Sequence, residues 1–243
     1  MEEGPTSEGV VEERLDIELG GRRVPGILWR PDRPGDRTPL VLAGHGGGFG
    51  TDGHKRVDPI VRLATCLATA HGIATVAIDQ PGCGDREGAA QEQARRRQMT
   101  VEEAIASLWT RELVEELIGD WKSTLDRLDT DYDLGEHGVG YWGLSGGTTF
   151  GLPLVASEPR ITAAILGLNG DVPLMRAFAP DVTCPVLYMM NLDDRFMSRA
   201  SCLALFDALA STDKRLLAFP GDHGENLDRA LPDWARFLAD RLG

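Results

Sequence analysis

A strand-like run, Gly138-Val139-Gly140-Tyr141-Trp142, ends in Gly143-Leu144-Ser145-Gly146-Gly147, and an apolar, helix-compatible stretch follows over residues 148–156. A strand that gives way to a helix within so few residues needs a sharp turn with small flanks, because the two elements close tightly on each other. At such a turn the serine is forced to a positive φ that side chains seldom adopt, and its hydroxyl stands clear of the backbone. No other serine in the chain has glycine two positions away on both sides.

The rest of the chain alternates in a way that suits this turn. Residues 10–19 and 22–30 read as strands, and Gly20-Gly21 between them predicts an antiparallel hairpin. The short continuous apolar runs at 40–43 and 73–78 read as strands buried on both faces. Further strands are expected at 138–142, 161–168, 185–190 and 216–219. Helical patterns fall at 59–70, 117–128, 148–156, 201–210 and 234–242, and residues 169–183 read as a short connecting stretch. The expected class is α/β: a mostly parallel central sheet of about eight strands with helices on both faces. A chain of 243 residues fits one such domain over 1–243. Between the strands at 73–78 and 138–142 the pattern changes. Residues 91–98 are polar, with Arg95-Arg96-Arg97 as a solvated helix face, and Thr100-Val101-Glu102-Glu103 opens a second helix with capping-box spacing. Two helices exceed a minimal crossover, so 86–118 is expected to be a helical insertion, or lid, over the sheet edge.

Composition narrows the partners. The formal net charge of −13 repels nucleic acid phosphates and anionic membrane surfaces, so neither is an expected partner. No apolar run approaches a membrane span, and the acidic start of the chain lacks the basic and apolar regions of a secretion signal, which makes the cytoplasm the expected location. The four cysteines, Cys66, Cys83, Cys184 and Cys202, form no C-x-x-C pair, so neither a zinc site nor a disulfide framework is suggested. No metal and no cofactor is expected.

A serine hydroxyl is a weak nucleophile at neutral pH. It needs a base within hydrogen-bonding reach, and the base needs an acid that holds its tautomer. In open α/β sheets such groups gather beyond the carboxyl ends of the strands. Of the five histidines only His223 follows Ser145, in a glycine-flanked loop just past the final strand, and it is the candidate base. Among the carboxylates between them, only Asp193 and Asp194 stand at the carboxyl end of a buried strand. An attacked carbonyl gathers negative charge on its oxygen, which preset backbone N–H groups must receive. Gly146 supplies one, and the loop Gly44-His45-Gly46-Gly47-Gly48-Phe49-Gly50 the other, from Gly47 with Gly48 as the alternate. That loop is neither G-x-G-x-x-G nor a P-loop. Phe49, Trp109, Met190 and Met197 are candidate pocket walls.

His45-Gly46-Gly47-Gly48, the run from Asp79 to Asp85, Gly143-Leu144-Ser145-Gly146-Gly147, Asp194 and Gly221-Asp222-His223-Gly224 together resemble the α/β-hydrolase superfamily, in its dienelactone hydrolase-like and esterase branch. The resemblance runs from about residue 40 to the end, in the family's order Ser…Asp…His. Its spacing selects Asp194 over Asp193. It implies a triad of Ser145, His223 and Asp194 that cleaves a carboxylic ester or thioester through an acyl-enzyme. The same triad would serve an acyltransferase or a carbon–carbon bond hydrolase, and the fold alone would serve a non-catalytic ligand binder. The implied partner is a small-molecule ester, with a homodimer as the assembly it would allow. The family commonly has glycine three residues before the acid and proline a few residues after it. Here Asn191 takes the first place, and Phe196-Met197-Ser198 holds no proline.

Overall fold

The computed structural model describes residues 9–33, 38–47, 53–86, 88–99, 110–132, 134 and 138–243. Eight strands form one sheet in the order β1-β2-β4-β3-β5-β6-β7-β8. β1 (Val10–Leu19) and β2 (Arg22–Pro31) make the expected antiparallel hairpin, and β2 also runs antiparallel to β4 (Ala74–Ile78). The remaining pairings are parallel, through β3 (Leu40–Gly44), β5 (Val139–Gly143), β6 (Ile161–Gly167), β7 (Val186–Asn191) and β8 (Lys214–Phe219). Every residue of β3, β4 and β5 is buried, as their continuous apolar character requires.

Side chains leave successive strand residues on opposite faces, so the sheet separates two cores. On β5, Tyr141 enters one core and Trp142 the other. The Tyr141 core is closed by α3 (Arg111–Tyr132), α4 (Gly146–Ser157), α5 (Pro173–Phe178) and α6 (Arg199–Ala208). The Trp142 core is closed by α1 (Asp58–Cys66), which runs on as a wider turn to His71, and by α7 (Leu227–Leu242). There Trp142 packs edge-on against Trp234, with ring centroids 5.5 Å apart. Each large apolar side chain buried in these layers contributes roughly 1.5–3 kcal/mol.

Three elements differ from the sequence expectation. α3 begins at Arg111, not near 117, because Val114, Leu117, Trp121, Leu125 and Leu128 form one unbroken buried stripe. Residues 111–118 therefore belong to the helix layer of the sheet. α7 begins at Leu227, not at 234, and carries Pro232 within its first two turns. The stretch at 169–183 contains α5 and a 3₁₀ turn, Ala179–Asp181. A short helix, α2 (Ala89–Arg96), lies in the region read as an insertion, whose expected helix from Thr100 falls outside the described residues up to Trp109. Among the described residues, no helix is long and apolar enough to cross a membrane.

Candidate active site

Ser145 sits between β5 and α4 with φ 55° and ψ −117°, one of three non-glycine residues at positive φ among those described. Holding a side chain there costs on the order of 1–3 kcal/mol, which the surroundings must offset. Its N–H donates to the Gly167 carbonyl at 2.9 Å. The Tyr141 hydroxyl donates to the Gly147 carbonyl at 2.6 Å, and Thr148 Oγ1 accepts from the Gly167 N–H at 2.7 Å. The buried Asn169 donates from Nδ2 to the Ser145 carbonyl at 2.9 Å and to Thr149 Oγ1 at 2.5 Å. The flanking glycines are needed for close approach. A Cβ on Gly147 would stand 2.3 Å from the Gly44 carbonyl oxygen, and one on Gly143 would stand 2.7 Å from the Gly147 backbone.

The end of β8 carries His223 back over this turn. His223 Nε2 lies 3.0 Å from Ser145 Oγ, and Nδ1 lies 2.7 Å from Asp194 Oδ2. A carboxylate at Nδ1 favours the tautomer with the proton there, leaving the Nε2 lone pair directed at the hydroxyl. The Asp194 side chain is buried, and its Oδ1 accepts from the N–H groups of Phe196 at 2.8 Å and Met197 at 3.0 Å. Asp193 turns outward: it pairs with Arg199 at 2.9 Å and accepts from the Gly221 N–H at 3.1 Å. Arg195 pairs with Asp222, whose carboxyl it holds far below the usual range. Asp222 in turn accepts from the His223 N–H at 2.7 Å.

The glycine-rich loop faces the serine turn from the end of β3. Gly47 has φ 87°, and a Cβ on Gly146 would lie 2.6 Å from the Gly47 carbonyl oxygen and 3.2 Å from its nitrogen, so the two backbones are in contact. Within the loop, His45 is fully buried: its Nε2 accepts from the Gln80 N–H at 3.1 Å and its Nδ1 donates to the Gly46 carbonyl at 2.9 Å. Burial lowers its pKa to about 4, so the ring is neutral at pH 7. Gly48, Phe49 and Trp109 lie outside the described residues.

A cleft of about 260 Å³ opens beside Ser145 and His223, walled chiefly by Val57, Pro59, Trp142, Leu144, Leu168 and Leu227. Met190 is no wall of it: its place on β7 sends it into the Tyr141 core, 2% exposed. Met197 is likewise absent from the lining, since its side chain packs against that same core while its N–H serves Asp194. Besides Trp142 in the cleft wall, an aromatic side chain that stands at the site is Phe196, 62% exposed and edge-on to the His223 ring at 5.2 Å. Its place two residues after the acid was the available signal. Leu144, next to the serine, was legible in the same way, whereas Val57 and Leu227 come from helix starts remote in sequence. Among the described residues, no group of three or more His, Cys, Asp or Glu is placed to hold a metal ion.

The whole chain superimposes on solved structures. A cold-adapted esterase from an Arctic intertidal metagenomic library, in a complex with polyethylene glycol, is 32% identical, with 100% of each chain covered and a TM-score of 0.81. Two more distant structures share the fold. Dienelactone hydrolase from Anabaena variabilis is 23% identical over 97% of this chain and 100% of its own, with a TM-score of 0.69. Est1E from Butyrivibrio proteoclasticus, with ferulic acid bound, is 17% identical over 93% of this chain and 98% of its own, with a TM-score of 0.71. No protein-family model and no curated protein matches the chain.

Proposed function

The chain belongs to the α/β-hydrolase superfamily, and from that membership we propose that it is a serine hydrolase of the esterase and dienelactone hydrolase-like branch, cleaving carboxylic esters through an acyl-enzyme. The observation that carries the proposal is the unbroken line from Ser145 Oγ through the His223 ring to the buried Asp194 carboxylate.

In the first half-reaction Ser145 Oγ bonds to the ester carbonyl carbon while His223 Nε2 takes the hydroxyl proton. Asp194 keeps the ring oriented and stabilises the imidazolium without itself being protonated. Negative charge on the former carbonyl oxygen is received by the N–H groups of Gly146 and Gly47. As the tetrahedral intermediate collapses, the carbon–oxygen bond to the alcohol breaks and His223 returns the proton to the leaving oxygen. Water then attacks the acyl carbon, giving its proton to His223. Expulsion of Ser145 Oγ, reprotonated by His223, releases the acid.

The apolar cleft beside Ser145 would hold one side of the ester, and Phe196 would flank the other. The single domain would carry a cover from within 86–110 and act on a small-molecule ester in the cytoplasm. The test is hydrolysis of 4-nitrophenyl butyrate by the wild type and by Ser145→Ala. Turnover that vanishes in the variant supports the proposal; equal turnover by a variant that unfolds at the wild-type temperature refutes it.

A further inference from the structure

A larger hollow, about 560 Å³, opens on the same sheet face as the serine cleft but nearer the β1–β2 hairpin. Strand alternation places Arg14 and Asp16 of β1, and Arg23 of β2, on this face, opposite the segment Gly53 to Arg56. Gly53 lines both cavities, so this segment separates an apolar compartment at Ser145 from a polar one whose charged lining is Arg14, Arg23, Lys55 and Arg56 against two carboxylates, Asp16 and Asp85.

Such clustering is unexpected in a chain of net charge −13, where cations are scarce and usually spent on local carboxylates. Three of the four are spent in that way. Lys55 is nearly buried, with Nζ 2.5 Å from Asp79 and 2.6 Å from Asp85. Arg56 pairs with Glu12, and Arg23 pairs with Asp16 at 3.1 Å. The Arg14 side chain makes no hydrogen bond or ion pair among the described residues, and it stands near the Asp85 carboxyl, which Lys55 chiefly, with smaller contributions from Arg23 and Arg14, holds below the usual range. Arg23 and Arg56 keep about half of their side-chain surface open, at 51% and 40%. A guanidinium is always charged and presents a planar set of donors that matches an oxyanion.

We propose that this hollow is an anion-binding site, in which Arg14, supported by Arg23 and Arg56, holds a carboxylate or phosphate group. β1, which carries Arg14, stands four strand spacings from β5, roughly 19 Å at about 4.8 Å each. The anion therefore belongs either to a free small molecule or to an ester that carries its charge about that far from the reacting carbonyl.

Calorimetric titration of the full chain with succinate and with inorganic phosphate reads the first source. The second is read by kcat/KM for a long-chain ω-carboxylated 4-nitrophenyl ester against its neutral methyl-capped counterpart. Both are measured on the wild type, Arg14→Gln and Arg14→Lys, with thermal unfolding to show that each variant is folded. The site predicts that Arg14→Gln weakens free-anion binding, or removes the preference for the charged ester, by about tenfold, and that Arg14→Lys restores part of it. If neither measurement separates Arg14→Gln from the wild type, the site does not exist. The calorimetric arm needs no turnover, so it stands even if the hydrolase proposal fails, and turnover of the neutral ester judges that proposal separately.

Discussion

The side-chain amide of Asn191 donates to the Asp222 carbonyl at 2.6 Å, binding the end of the strand that presents the acid to the loop that presents the histidine. A second bond from the same nitrogen reaches the Glu225 carbonyl at 3.0 Å, and Asn191 is 1% exposed. A buried amide with two acceptors fixes the spacing of Asp194 and His223 more tightly than a residue without a side chain would. Asn191→Gly is therefore expected to lower kcat about tenfold with little change in KM, and to cost roughly 1–3 kcal/mol of stability. Steady-state kinetics and urea unfolding check both; an unchanged kcat would show that the backbone alone sets the spacing.

The two adjacent aspartates should separate cleanly. Asp194 faces the imidazole from a buried position, while Asp193 pairs with an exposed arginine. Asp194→Asn should lower kcat by roughly 10³–10⁴, because the amide favours the wrong imidazole tautomer. Asp193→Asn should stay within a few-fold of wild type, as exposed pairs contribute little. Comparable losses in the two variants would contradict the geometry.

Much of this was legible in the chain itself. The buried strands showed as continuous apolar runs, and the serine turn announced itself by its glycines. His223 was singled out by following the last strand. What the sequence did not display was side-chain supply from remote elements. Asn169 and Asn191 look like ordinary polar residues at strand ends, and only the folded backbone shows that they hold the Ser145 carbonyl and the histidine loop. Met190 read as a candidate wall, yet strand alternation turns it into the core. The start of α3 was misplaced because the polar residues 110–112 hid a stripe whose first buried member is Val114.

Backbone contact between Gly146 and Gly47, the two glycines proposed to receive the substrate oxygen, gives a third test. A methyl group on Gly146 would meet the Gly47 carbonyl oxygen at 2.6 Å and force the loops apart. Gly146→Ala should lower kcat by about 10²–10³, the usual consequence of losing one oxyanion donor. Its far-ultraviolet circular dichroism should match the wild type. Full activity would place the oxyanion donors elsewhere.

Stability should depend on pH through His45. Its ring is buried and neutral, with a pKa lowered from 6.5 to about 4, so the unfolded chain binds the proton first as pH falls. The stabilisation is complete above about pH 6.5 and is lost progressively towards pH 4, on the order of 3 kcal/mol in all. Urea midpoints measured from pH 7 to pH 4.5 should fall more steeply for the wild type than for His45→Gln, whatever the variant's starting stability. Parallel slopes would assign the acid sensitivity to other groups.

The most direct measurement is covalent trapping of the serine with a fluorophosphonate, followed by peptide mapping of the adduct. One adduct per chain is expected, on the peptide containing Ser145, with labelling slowed by at least about a hundredfold in His223→Ala. An adduct on another residue, or equally fast labelling without the imidazole, would contradict the assignment of Ser145 as a histidine-activated nucleophile.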